Sequence, residues 1–79
     1  MIEKIKAMGL ETDGDKNPIV KGDNAKLLEL KAMLDENGYK NDTGICSLLF
    51  GIPNPKLEEV TAIMLNHEGG INGYCLLGA

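Results

Sequence analysis

Arginine is absent from this chain, and its eight basic residues, all lysines, are outnumbered by twelve acids. The formal charge is −4 and the isoelectric point lies near 4.8. Nucleic-acid binding needs a basic face that neutralises phosphates, and lysines interleaved with acids do not make one. A long apolar run is also lacking. No stretch approaches the roughly 18 residues of a membrane span, and the opening MIEKIKAMGLETDGD carries no apolar signal segment. Aromatic residues make up 4% of the chain, so any platform for stacking sugars is small. The single histidine, His67, lies beside Glu68, but a zinc site of the His-Glu-x-x-His kind needs a second histidine one turn away.

What is present suits one small domain spanning residues 1–79. A chain with 43% hydrophobic and 25% charged residues is too apolar to stay disordered. A domain of this length nevertheless buries only about 60% of the surface its unfolded chain exposes, so its core is thin. Ile2 to Met8 reads as a short helix closed by Gly9. GLETDGDKNP is turn chemistry and predicts a loop. A stronger helix follows, capped by Asp23 or Asn24, with Leu27, Leu30, Met33 and Leu34 at helical spacing and Asn37-Gly38 as its stop. GICSLLFGI is too short to assign as a helix and fits a buried strand or an irregular core segment. In PNPKLEEVTAIMLNHEGG, Asn54 can cap and Pro55 suits a first turn. Leu57, Val60, Ile63 and Met64 then form an apolar stripe, predicting a third helix that ends at Gly69-Gly70. The tail INGYCLLGA reads as a last extended segment. The expected class is mainly α, a small three-helix bundle with short irregular or extended apolar segments. The alternative is α+β with a two-stranded sheet from 45–52 and 71–78.

Pro18, then Gly22-Asp23, then an amphipathic helix reading LLELKAMLDENGY, resemble the opening half of the peptidoglycan-binding domain attached to many cell-wall hydrolases. The family helix has the pattern Val/Leu-x-x-Leu-Gln-x-x-Leu-x-x-x-Gly-Tyr. Leu27 or Leu28, Leu30, Leu34, Gly38 and Tyr39 fall on it, with Lys31 in the place of glutamine. Phe50-Gly51, PKLEEVTAIML and GGINGY follow the family order more loosely, with an insertion around Ile52 to Asn54 and Asn72 where aspartate is usual. The likeness runs from Pro18 to Gly78 and is specific only over Gly22 to Tyr39. It implies a mainly helical, non-catalytic module that holds a hydrolase or phage component on a bacterial wall, with the cell wall as its location if the chain is part of a larger exported or phage-released protein.

Candidate chemistry is sparse. Asp13, Asp15 and Asn17 alternate like the start of a calcium loop, but Pro18 stands where that loop requires glycine and Asn24 where it requires a bidentate acid. Cys46 and Cys75 are not in a Cys-x-x-Cys pair and have no evident base, so core packing is their default. They allow one disulfide, although buried free thiols are commoner in an intracellular protein and the sequence does not show that the two meet. No catalytic residue, metal or cofactor is expected. A ligand site would draw on Tyr39, Asn41, Asp42, Asn72 and Tyr74, which flank the ends of expected elements and offer ring faces and amides. The expected partner is peptidoglycan or, in the competing reading, another protein. In that reading the chain is a stand-alone small acidic interaction or inhibitor protein of phage or bacterial type, docking through acidic helix faces and the apolar tail, with self-association through the tail a related possibility.

Overall fold

The computed structural model describes residues 2–14, 17–66 and 72–78. Among these, three helices, α1 (Ile2–Ala7), α2 (Asn24–Glu36) and α3 (Thr43–Phe50), accompany five strands. The strands are β1 (Glu11–Asp13), β2 (Ile19–Lys21), β3 (Lys40–Asn41), β4 (Val60–Asn66) and β5 (Gly73–Gly78). They form one sheet in the order β1-β2-β4-β5-β3, antiparallel except for the parallel β3–β5 pair. The fold is therefore α+β, and the expected three-helix bundle is incorrect.

The largest correction concerns the expected third helix. Leu57–Glu59 is only a 3₁₀ turn, and Val60–Asn66 is a strand paired on both sides. Its apolar residues match a helical stripe, yet VTAIML is equally a β-branched run for a strand buried between neighbours. Local spacing cannot separate the two, whereas the ladders offered by β2 and β5 can. The alternative sheet is corrected as well. The tail does form a strand, but it pairs with β4 and β3, while 43–50 is helical. The expected loop at 9–18 contains β1, which forms an antiparallel pair with β2.

Alternation along the strands divides the molecule into layers. Val20, Ile63, Leu65, Tyr74 and Leu76 point to one face, where they meet Leu27, Leu30 and Leu34 of α2 and Ile5 of α1. Cys75 and its cross-strand neighbour Met64 point to the other, and a disulfide between Cys75 and Cys46 holds α3 there. Its Cα–Cα separation of 6.5 Å lies within the reach of such a bond. Asp23 caps α2 by position, and Gly38, with φ of 82°, supplies the left-handed residue that ends it. Asn24 donates its side-chain amide to the Leu57 and Val60 carbonyls, tying the start of α2 to the start of β4.

Candidate functional site

The five residues singled out from sequence cluster around the β3–β5 seam, where several of their backbone groups and the Asn41 side-chain oxygen are already engaged. The Lys40 amide donates to the Asn72 carbonyl, and the Asp42 amide donates to that of Tyr74. The Asn41 side-chain oxygen accepts the Thr43 amide at 3.0 Å, an Asx turn that bends the chain out of β3 into α3. Asn72 itself is exposed, and Tyr39 is half-buried against the main core. Gly73 is buried beneath Asp42, and a Cβ there would collide with the Asp42 carboxylate and crowd the Lys40 carbonyl.

Tyr74 is fully buried. Its hydroxyl donates to Asp35 Oδ1 at 2.5 Å, while Lys31 lies 2.9 Å from Asp35 Oδ2. Burial, followed by the bond to Asp35, pushes the tyrosine well above its ordinary value. The bond from Tyr74, reinforced by Lys31, holds the Asp35 carboxyl below its usual range. This pair is a brace between β5 and α2, and it offers no ring face to a sugar.

A different surface stands out. Helix α3 starts at the Asx turn, buries Thr43 and Cys46 against the sheet, and ends at Gly51 with φ of 67°. The Thr43 hydroxyl accepts the Leu76 amide at 2.9 Å, satisfying β5 beyond the end of β3. Opposite these anchors, Ile45, Leu48 and Leu49 share a face at spacings of three and four. They are 56, 83 and 68% exposed, and Phe50 at the end of the helix is 70% exposed. Residues 43–55 contain no charged side chain. A helix that is apolar all round is ordinarily buried all round, and this one is covered on one side only.

Sequence reasoning treated GICSLLFGI as core and so missed this face. The usable signal was the Ile45-Leu48-Leu49 spacing in an uncharged stretch, which fits a helix with nothing polar to turn toward water. The depressions beside Gly22 and Asn24 and along β1–β2 are shallow. Among the described residues, no group of three or more His, Cys, Asp or Glu side chains is placed to hold a metal ion, and no helix is long and apolar enough to cross a membrane. His67, Glu68 and Asp15, which entered the metal readings, lie outside the described residues.

Fold and surface together define a small α+β domain with a mixed five-stranded sheet and one uncovered apolar helix. No family model matches the chain, and neither a curated protein nor a solved structure matches it.

Proposed function

We propose that the chain is a non-catalytic protein interaction module whose docking surface is the outward face of α3. The observation that carries the reading is the contiguous exposure of Ile45, Leu48, Leu49 and Phe50 on a charge-free helix. Four large side chains exposed to that degree present on the order of 500 Å² of apolar surface, at the size where patches on monomers mark contacts. At roughly 25 cal/mol per Å², covering it is worth on the order of 10 kcal/mol before the entropic costs of association are subtracted. A wall-binding role draws less support, because Tyr74, one of the two rings it relies on, lies inside the core with its hydroxyl committed to Asp35.

The test pairs two measurements on the folded protein. Photoleucine in place of Leu48 should form an adduct with a protein that, once purified, binds the wild type and not Leu48→Asp. Binding to peptidoglycan sacculi that Leu48→Asp leaves intact, with no protein adduct at position 48, would overturn the reading in favour of the wall.

A further inference from the structure

We infer that the occupant of the α3 face is a second copy of this chain, packed α3 against α3 about a twofold axis. The inference rests on the interaction reading above and adds the identity of the partner.

Three observations lead to it. The first is area: with on the order of 500 Å² of apolar surface from each copy, the two faces together supply about 1,000 Å², at the lower threshold for a specific interface. Neighbouring atoms at the rim add to this. The second is composition. Interfaces between unlike, separately stable proteins are about as polar as the rest of the surface, whereas homodimer contacts are more apolar and poorer in charge. The outward stripe of α3 has no charged residue and, apart from Ser47 and Gly44 at its margins, consists of large aliphatic and aromatic side chains. It therefore carries no charge pattern by which an unlike partner would be selected, and an isologous contact needs none, because the patch is its own complement. The third is net charge. Two copies at −4 each repel, and the uncharged stretch from 43 to 55 is where they can approach at least electrostatic cost.

A lipid surface fits the same face less well. Interfacial helices pair an apolar face with a lysine- and arginine-rich one, and α3 has neither residue on any side.

A twofold axis through the stripe brings the two copies of Leu48, its most exposed residue, close together. That closeness gives a specific test, because opposite charges at one position then complement each other. The measurements are sedimentation velocity from micromolar to near-millimolar protein on the wild type, Leu48→Asp, Leu48→Lys and an equimolar mixture of the two variants, with circular dichroism confirming that each is folded. The wild type should reach twice the 8.5 kDa chain mass. Each variant alone should remain monomeric, its dimerisation weakened at least 100-fold, and the mixture should recover the dimer in part. A wild type that stays monomeric across the range overturns the inference, as does a Leu48→Asp variant that dimerises normally. Should the monomer still form the reconstitutable photoleucine adduct with an unlike protein, only the second-copy assignment falls and the interaction reading survives. Absence of both the dimer and any adduct removes both. A monomer that co-sediments with phosphatidylcholine vesicles through Leu48 assigns the face to lipid.

Discussion

At the scale of single residues, the Tyr74–Asp35 pair sets the polar character of an otherwise apolar core. Replacing Tyr74 by Phe keeps the ring and removes the hydroxyl, so the expected loss is that of one hydrogen bond to a charged acceptor, about 1–2 kcal/mol in urea unfolding. The lower end applies because Asp35 is substantially exposed. The pH dependence follows from the same pair. Asp35 has a folded value below its ordinary 3.8, so its contribution is present above that pH and disappears as pH falls through the lower folded value. Tyr74 is shifted the opposite way. Its contribution holds below its ordinary 10.0 and is lost as pH climbs beyond that toward the raised folded value. Unfolding free energy followed across both limits should therefore lose part of its acid slope and its alkaline slope in Tyr74→Phe. An acid slope identical to the wild type would show that the bond carries no stability, since the alkaline slope reflects mainly the burial of the phenol.

Gly73 makes a second residue-scale case. A methyl group there meets the Asp42 carboxylate, the end of a half-buried side chain that can turn aside, and crowds the Lys40 carbonyl at 3.3 Å, so Gly73→Ala should cost about 1 kcal/mol and loosen the β3–β5 pair. Gly44, with no neighbour within 4 Å of an added Cβ, is the control: Gly44→Ala should be neutral or stabilising by up to about 1 kcal/mol.

At the scale of elements, α3 is the piece with the weakest claim to its own position. It touches the sheet through Thr43 and Cys46 and turns its most apolar side outward, so the Cys46–Cys75 bond provides much of its attachment. The two cysteines are 29 residues apart, and closing a loop of that size in the unfolded chain stabilises the fold by roughly 3–4 kcal/mol on the chain-entropy account. Reduction with a dithiol, which leaves both side chains in place, should lower the unfolding free energy by about that amount. Amide exchange should quicken first in 43–50, while the α2 amides around Leu30 keep their protection. Uniform loss across both helices would mean that α3 is integral to the main core. The bond also makes the chain's stability depend on the redox state of its surroundings.

At the scale of the whole molecule, dimerisation through α3 makes stability a function of concentration. The wild-type melting temperature should rise with protein concentration by mass action, whereas that of Leu48→Asp should stay constant. Because each copy carries −4, added salt should tighten the dimer by screening repulsion, the reverse of what an interface built on ion pairs would do. Weakening by salt in calorimetric dilution would contradict an apolar contact.

What the sequence determined by itself was whatever depends on short-range chemistry. The first two helices and their glycine stops at Gly9 and Gly38 were legible because caps, left-handed residues and three-four spacing act within a turn or two of chain. The acid balance and the lack of any repeated histidine or cysteine motif were legible as composition. The tertiary structure alone decided the rest. Val60–Asn66 satisfies a helix and a strand equally well until β2 and β5 offer hydrogen bonds on both of its edges, and that choice turns the expected bundle into a sheet. The same choice places the tail inside the fold, moves Tyr74 from a candidate ligand site to the core, and brings Cys75 beneath Cys46. It also leaves α3 with one side of the sheet to cover and, among the described residues, nothing across its other face. Each of these depends on contacts between residues far apart in the chain, and side-chain spacing along the chain carries no record of which distant edge will be available to pair.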